Sequence, residues 1–248
     1  MLLPSLQCFA PVNLGGLDKV KLMNRVETKY IFHRRHLDSL LAEVAGEYAI
    51  LEIDGKRAFD YASLYFDTPD YQLYRQHHQG KSNRVKLRYR AYMDTGEVFF
   101  EIKQKVKGVR TDKYRVRQPA IQEAISADAS QLMNRHKIIL PDEVEAKTWI
   151  HYKRITLAAK GSEERVTIDL AMRCKDAQSE INFPDLVISE VKQAKMSRRS
   201  PFVTALHRRW IPDFRISKYS LAVAMMVPGI KTHLFKAKIN RLHKIMGL

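Results

Sequence analysis

The 248-residue sequence has few cysteines and lacks long apolar runs. Cys8 and Cys174 are too few for a disulfide scaffold or a thiolate zinc site, so the composition is compatible with a reducing compartment. The longest apolar stretch, residues 221–227, is far shorter than the roughly 20 residues that a membrane-spanning helix needs. The first 16 residues have no basic segment and contain two prolines, which argues against a signal peptide. We therefore predict a cytoplasmic protein.

Familiar motifs of enzyme sites are also missing. The sequence has no glycine-rich phosphate loop, no serine-centred elbow, no His-Glu-x-x-His and no Cys-x-x-Cys. Acidic residues are scarce, because 27 Asp and Glu stand against 43 Lys and Arg, which gives a formal net charge of +16. A field of this sign attracts anions, so the expected ligand is a nucleic acid, a phosphorylated small molecule or an acidic membrane.

A strand-like run in which cationic and apolar residues alternate is the most informative segment. The cations Arg84, Lys86, Arg88 and Arg90 occupy every second position. Successive side chains of a β-strand point to opposite faces, so these four share one face and the apolar residues share the other. Two like charges about 5 Å apart repel by roughly 3 kcal/mol at an effective dielectric of about 20, and by under about 1 kcal/mol in water. An enclosed row of this kind therefore needs counter-charge.

The same alternation recurs in five further segments. Each of these candidate strands places charged residues on one face, and they cover residues 25–30, 99–107, 113–117, 165–170 and 187–192. Six ordinary strands whose polar faces meet water would give a related pattern. We favour a polyanionic ligand because residues 84–90 include no acid, whereas a face that only meets water usually mixes both signs.

Turn signals and helical spacing predict the rest of the architecture. Strands 84–92 and 98–107 flank Asp94-Thr95-Gly96, which suggests a hairpin. Apolar spacing predicts helices over 33–44, 126–137, Pro141 to about 150, from about Pro201, 218–226 and 231–246.

The fold class that we predict is α+β, with an antiparallel β tunnel barrel that has a charged lumen and is surrounded by helices. Residues 1–20 are expected to form an irregular lead-in, and residues 21–248 a single domain.

Four carboxylates lie on the cationic faces of the predicted strands, namely Glu27, Glu101, Asp169 and Glu190. They could neutralise neighbouring lysines and arginines. Alternatively, they could hold a divalent metal, because hard cations take carboxylate oxygens and commonly bridge to phosphates. Both interpretations stay open for Glu27 and Glu101, and for Glu190 we predict a metal ligand.

The adjacent histidines His77 and His78 could also be ligands. Side chains that are adjacent in a strand or loop point apart, however. We therefore predict that the pair forms a solvent-facing tip.

Several of these segments, taken in order, resemble a known family. They are Glu27-x-Lys29-Tyr30, Leu87-Arg88-Tyr89-Arg90, Phe100-Glu101-Ile102-Lys103, Arg165-Val166-Thr167-Ile168-Asp169, Ser189-Glu190-Val191-Lys192 and Ile216-Ser217-Lys218-Tyr219. Over residues 22–226 the sequence is similar to the VTC domain, the polyphosphate polymerase branch of the CYTH-like triphosphate tunnel metalloenzymes. The resemblance implies a tunnel lined by Arg and Lys that bind a triphosphate, with a metal held by Glu.

The resemblance, together with the cationic strand faces, gives roles to individual residues. The expected catalytic residues are Lys29, Arg88, Arg90 and Glu190. The expected ligands of Mn²⁺ or Mg²⁺ are Glu190, Glu27 and Glu101. Arg25 stands where the wider superfamily often has the first Glu of Glu-x-Glu-x-Lys. The expected substrate-binding residues are Lys29, Lys86, Arg88, Arg90, Lys103, Lys113, Arg154, Arg165, Lys192 and Lys218.

Three functions fit these features. The first is synthesis of inorganic polyphosphate from ATP, which the resemblance implies. The second is hydrolysis of tripolyphosphate or of a nucleoside triphosphate in the same tunnel, and the third is non-catalytic binding of polyphosphate or RNA. Single-strand nucleic-acid binders interleave stacking aromatic residues with the basic groove. Here Tyr89, Phe100 and Tyr114 fall on the opposite strand face from the cations, which disfavours a nucleic acid.

The carboxy-terminal segment, residues 231–246, combines lysines and an arginine with apolar residues at helical spacing. A basic amphipathic helix of this kind either packs on the barrel or touches an acidic membrane surface. We predict packing and keep peripheral membrane contact as the alternative. The sequence does not predict an oligomeric state.

Overall fold

The computed structural model describes residues 3–18, 26–107, 110–195, 197 and 199–247; Arg25 lies outside these ranges. The strands are β1 (Ala10–Val12), β2 (Val26–His33), β3 (Tyr48–Leu51), β4 (Phe59–Asp67), β5 (Arg84–Tyr92), β6 (Glu97–Val106), β7 (Arg110–Gln118), β8 (Glu145–Ala159), β9 (Glu164–Lys175), β10 (Glu180–Phe183) and β11 (Leu186–Gln193). The α-helices are α1 (Leu14–Asp18), α2 (Leu37–Val44), α3 (Gln72–His78), α4 (Ala127–Arg135), α5 (Pro201–Arg208), α6 (Lys218–Met226) and α7 (Lys236–Met246). Short 3₁₀ helices cover Pro4–Cys8, Arg34–His36 and His233–Phe235.

The eleven strands found in the described ranges all belong to one large sheet. Its main path runs in the order β2-β11-β9-β8-β4-β5-β6-β7, and each neighbouring pair on the path is antiparallel. Strand β10 joins β9 and strand β3 joins β8, also antiparallel, whereas β1 pairs with β3 in parallel. The predicted α+β class with a large antiparallel sheet is therefore confirmed.

The two ends of this path approach each other. Strands β2 and β7 are the terminal strands, yet the Lys113 Nζ atom of β7 donates a hydrogen bond to Glu27 Oε1 of β2 at 2.6 Å. The sheet is therefore curved so strongly that charged side chains of its two end strands, β2 and β7, are in contact.

Strand β5 shows how the sequence produces this arrangement. Its cations at alternate positions are half-buried on the interior side, while Val85, Leu87 and Tyr89 are buried on the outer side. Helix α4 covers that outer side with Ala129 and Leu132. Burying a large apolar side chain stabilises the fold by about 1.5–3 kcal/mol, so the outer layer fixes which way the cations face.

Helices also pack on other parts of the sheet. The apolar residues of α2 pack on one outer core cluster that also includes α5 and strands β2, β9 and β11. Helices α6 and α7 instead pack on the cavity face, against a cluster that includes the lining residue Ile188 and in which Leu242 and Phe235 are buried. The predicted packing role of the carboxy-terminal helix is thereby confirmed. Within the described ranges, none of the helices combines the length and the apolar composition needed to cross a bilayer.

Two predictions of local structure are wrong. The helix predicted from Pro141 to about residue 150 is not formed, because β8 begins at Glu145 and pairs with β4, with Thr148 opposite Tyr65. Residues 4–18 are not irregular, since they form a 3₁₀ helix, β1 and α1, and place Leu6 in the core. The division into a lead-in and a single domain stays a prediction.

Candidate functional site

The curved sheet surrounds a cavity of about 590 Å³, whose described lining includes twelve cations and three carboxylates. The cations are Lys29, Arg84, Lys86, Arg88, Arg90, Lys103, Lys105, Lys113, Arg115, Arg154, Lys192 and Lys218, and the carboxylates are Glu27, Glu101 and Glu190. Twelve of the thirteen residues that we predict for the site therefore meet in one cavity. The exception is Arg165 of β9, which is not among the described lining residues. It lies opposite Lys192 of β11.

A row of lysines crosses three neighbouring strands. Lys86 of β5 lies directly opposite Lys103 of β6, which lies directly opposite Lys113 of β7. Like charges in direct cross-strand positions destabilise a sheet. Desolvation, with the nearby Lys103 and Arg84, lowers the pKa of Lys86 well below its usual value, and the Lys86 ammonium donates to Ser217 Oγ at 2.7 Å. An anion bound over this row would replace repulsion by attraction.

Arg88 and Arg90 share one carboxylate. The Arg88 guanidinium contacts Glu101 Oε2 at 2.5 and 2.7 Å and donates to the Tyr65 hydroxyl at 2.6 Å. Arg90 approaches the other oxygen of Glu101 at 3.7 Å. Burial would raise the pKa of Glu101, but Arg88 and Arg90 hold it at about 2. The buried Nε of Arg90 has no hydrogen-bond partner in the described part of the chain, which costs free energy until a ligand or water satisfies it.

Strands β2 and β11 carry an alternating pattern of charges. Lys29 lies opposite Glu190, and Glu27 lies opposite Lys192. The Glu190 carboxylate is 2.6 Å from Lys29 Nζ and 3.0 Å from Lys192 Nζ, and these lysines hold its pKa well below the usual value although burial opposes them. Burial and the charge of Glu190 would raise the pKa of Glu27, but lysines of β6 and β7 hold it at about 2.

On the cavity face of β9, opposite the lining residue Ile188, Asp169 organises two of the lining cations. Its carboxylate is 3% exposed and accepts hydrogen bonds from Arg154 Nε at 2.6 Å, from Arg154 Nη2 at 2.9 Å and from the Lys218 ammonium. Burial opposes ionisation, yet Arg154 and Lys218 lower the pKa of Asp169 to about 2. Arg154 and Lys218 also lie 5.2 and 4.8 Å from the centre of the Tyr152 ring. Their positions are thus set before any ligand binds.

Six uncharged polar lining residues escape the sequence-based prediction, namely Tyr65, His77, Thr111, Tyr114, Tyr152 and Ser217, although Tyr114 was expected on the face opposite the cations. Two of them had a signal in the sequence. Tyr152 stands two positions before Arg154 and so shares its strand face, and Ser217 directly precedes Lys218.

The predicted solvent-facing tip at His77 and His78 is wrong. His77 lines the cavity, where burial followed by the charges of Lys86 and Arg84 lowers its pKa to about 2. His78 is buried under the carboxy-terminal segment, where its Nε2 accepts the backbone N–H of Leu234 at 3.1 Å.

Glu27 and Glu190 have the chemistry that a hard divalent cation requires. They lie on adjacent strands and are close enough to influence each other's ionisation. Mg²⁺ is usually held by one or two carboxylates together with substrate phosphates and waters. Within the described residues there is no cluster of three metal-ligating side chains, so phosphate and water oxygens would have to complete the coordination. The pair therefore fits a metal that arrives with a phosphate ligand, whereas Glu101 is engaged by Arg88.

Comparisons with known proteins agree with this geometry. The family model described as the VTC domain matches residues 24–227. No curated protein is significantly similar to the chain in sequence.

Solved structures with a related fold share little sequence with the chain. One of them is HpAC1 from Hippeastrum, which is provisionally described as an adenylyl cyclase and reported to have a dominant triphosphatase activity. It is 14% identical with a TM-score of 0.53, and the match covers 83% of this chain and 98% of that chain. A Vibrio parahaemolyticus protein provisionally described as an adenylate cyclase is 15% identical with a TM-score of 0.48, covering 81% and 98%. At 14% identity the likeness to HpAC1 shows the fold alone.

Proposed function

The chain belongs to the VTC domain family, and from this premise we propose that it is a metal-dependent polyphosphate polymerase. The enzyme would transfer the γ-phosphoryl group of ATP to the terminal phosphate oxygen of a growing polyphosphate chain, and the bond to the β,γ-bridging oxygen would break to release ADP. The observation that carries the proposal is the single cavity in which twelve cations meet only three described carboxylates. A site with this excess of positive charge suits a ligand that carries several negative charges along its length.

Phosphoryl transfer asks little covalent chemistry of a protein, because positioning and charge neutralisation supply most of the catalysis. Arg88, Arg90 and Arg154 offer planar guanidinium groups that bind phosphate oxygens in a bidentate way. The row formed by Lys86, Lys103 and Lys113 offers compact charges on the part of the wall next to Arg88. We propose that the triphosphate of ATP lies along Arg88 and Arg90, with the remaining lining cations, Lys29, Lys192 and Lys218 among them, around it. Arg165 would act from the neighbouring strand β9, where it lies directly opposite Lys192.

Neither Glu27 nor Glu101 is suited to act as the general base that hydrolysis would need. The attacking group in chain growth is a terminal phosphate oxygen that already carries negative charge, so no general base is needed. Water, by contrast, must lose a proton during its attack. Glu27 and Glu101 have pKa values of about 2, far from the value that makes an effective general base near neutral pH. Hydrolysis of tripolyphosphate or of a nucleoside triphosphate in the same cavity is the second candidate.

Glu190 and Glu27 are the residues that would hold Mn²⁺ or Mg²⁺. When bound, the ion would neutralise charge that develops on the transferring phosphate. Lys29 and Lys192 hold the Glu190 carboxylate in place in the ligand-free protein. Once Glu190 has another partner, both ammonium groups are available to phosphate oxygens. Glu101 instead would position Arg88 and Arg90.

Incubation of the purified protein with ATP and Mn²⁺, followed by gel analysis, tests the proposal. We expect long-chain polyphosphate, and we expect Arg88→Ala and Glu190→Ala to abolish it. Lys153→Ala is a matched control, because Lys153 lies on β8 next to Arg154 but pairs with Asp60 at the surface. Release of single phosphates without chain growth would identify a hydrolase, and binding without turnover would identify a polyanion-binding module. Either result refutes the polymerase.

We propose ATP and inorganic polyphosphate as the partners and do not expect a nucleic acid. Steeply salt-dependent RNA binding without ATP turnover would reverse this expectation. The cytoplasmic location is also a proposal, which cell fractionation tests.

A further inference from the structure

The last helix lies beyond the region that the family model matches. The match ends at residue 227, whereas α7 covers Lys236–Met246. Residues 228–248 contain no Asp or Glu, and their cations are Lys231, Lys236, Lys238, Arg241 and Lys244. In the described part of the chain, none of these five cations is paired with a carboxylate. A segment of one sign without internal neutralisation has charge available for an external anion.

This segment is held firmly against the protein. The backbone N–H of Leu234 donates to His78 Nε2 at 3.1 Å, and the Tyr74 hydroxyl donates to the carbonyl of Lys231 at 2.9 Å. The Phe235 ring is buried and packs edge-on against His78, with ring centres 4.9 Å apart. The cations of α7 therefore stand at fixed positions relative to the cavity.

The first turn of α7 lies beside the cavity. Lys238 Nζ is 4.8 Å from the centre of the Phe235 ring, which in turn lies 6.1 Å from the ring of His77, a lining residue. The charge of Lys238 contributes to lowering the pKa of His77. Desolvation and the charge of Arg215 lower the pKa of Lys238. Arg215 directly precedes two lining residues, Ile216 and Ser217. The positive potential of the cavity is thus continuous with that of α7.

Three cations then follow one flank of the helix. Lys238, Arg241 and Lys244 are spaced by three residues, so each lies next to the previous one and about 4.5 Å further along the helix axis. Lys244 is exposed, and Lys238 and Arg241 are half-buried. The buried face of the helix, which contains Leu242, is turned toward the protein body. The line of cations therefore begins beside the cavity and follows accessible surface along the helix.

We propose that Lys238, Arg241 and Lys244 form an external track that binds the part of a phosphate chain extending from the cavity. The proposal rests on the proposed function, since it takes the cavity to hold one end of the chain. A linear polyanion fits better than an acidic membrane surface. A helix that lies in a membrane presents several apolar side chains outward, whereas Leu234 is the only large apolar residue that this segment exposes among those described.

The test compares a short and a long ligand on a triple variant, Lys238→Gln/Arg241→Gln/Lys244→Gln. We expect its Kd for long-chain polyphosphate to rise about tenfold, which is about 1.4 kcal/mol for the three cations together. The Kd for tripolyphosphate, which occupies the cavity alone, should not change. A matched control, Arg135→Gln/Lys137→Gln/Lys195→Gln, removes three cations elsewhere, and a charge-conserving variant, Lys238→Arg/Arg241→Lys/Lys244→Arg, keeps the track.

Each outcome has a distinct meaning. Long-chain binding that weakens in the first variant, but not in the control or charge-conserving variants, supports the track. An unchanged Kd for the long chain overturns it, as does an equal loss for both ligands. In a further assay, vesicles of acidic lipid are tested for binding. If they bind the unaltered protein but not the triple variant, and the triple variant still binds long-chain polyphosphate normally, the track is overturned in favour of a lipid surface. If the unaltered protein binds neither phosphate ligand, the proposed function itself fails.

Discussion

Replacing Asp169 by Asn is the sharpest test of how the cavity is built. Asp169 is 3% exposed and neutralises Arg154 and Lys218 at once. Removing one partner of a buried ion pair costs about 3–5 kcal/mol, because the remaining charge stays buried without compensation. In a domain of this size 1 kcal/mol corresponds to about 2–4 °C in Tm. We therefore expect Asp169→Asn to lower Tm by about 6–20 °C in thermal unfolding followed by circular dichroism.

A bound anion should reverse much of this loss. Tripolyphosphate can supply the missing negative charge to Arg154 and Lys218, so at one fixed concentration it should raise Tm more in the variant than in the unaltered protein. Asp60→Asn is the matched control, since Asp60 pairs with Lys153 where both side chains are about half exposed. Such surface pairs contribute under about 1 kcal/mol. Equal destabilisation by the two substitutions would refute the reasoning.

The pH dependence gives an independent check. The pKa of Asp169 is about 2 in the folded protein and 3.8 in an ordinary environment. Its ionised form therefore stabilises the fold fully at pH values above 3.8. This contribution, about 2 kcal/mol, is lost as the pH falls from about 4 towards about 2. The difference in Tm between Asp169→Asn and the unaltered protein should therefore narrow over that interval. A constant difference would contradict the assignment.

Further predictions concern the lysines and the last helix. Desolvation lowers the pKa of Lys103 and of Lys192 to about 8, so both side chains lose their charge as the pH rises through 8. Calorimetry should therefore show that tripolyphosphate binds about tenfold more weakly at pH 9 than at pH 7. A Kd that does not change with pH would count against this. Lys86→Met should raise the Tm of the ligand-free protein, because it removes charge opposite Lys103, and should weaken tripolyphosphate binding. A variant with both a lower Tm and weaker tripolyphosphate binding would be inconsistent with repulsion in the row. Leu242→Ala should cost about 2–5 kcal/mol in denaturant unfolding, while Leu234→Ala, at an exposed position, should cost under about 0.5 kcal/mol; similar costs would show that α7 is not packed as described.

Local alternation explains why much of the site could be predicted from the sequence. The period of two in β5 depends only on neighbouring residues, so it identifies both the cations that face inward and the apolar residues that face outward. The same period was present in the first part of β8, where Thr148 and Ile150 are buried. There, Pro141 suggested a helix start, and pairing with β4 and β9 determined the outcome instead.

Contacts between distant segments could not be predicted in this way. Lys113 and Glu27 are 86 residues apart and meet because the sheet curves, which no local pattern records. The same holds for His77, which reaches the cavity from α3. Which carboxylate neutralises which cation depends on the order of strands in the sheet. The sequence therefore predicts the composition of the cavity wall better than its internal pairing.

The layered arrangement of this fold has a consequence for engineering. Two of the apolar clusters that stabilise the protein lie on the outside of the curved sheet, beneath α2, α4 and α5. Another lies on the cavity face beneath α6 and α7 and includes three lining residues, Tyr65, Tyr152 and Ile188. On β5, stability and ligand choice are thus encoded by different positions of the same strand. Substitutions that preserve the charge balance of the wall can change ligand preference while leaving the outer layer intact. A library restricted to inward-facing positions of β5, β6 and β7 would retain the scaffold and explore receptors for other multiply charged anions.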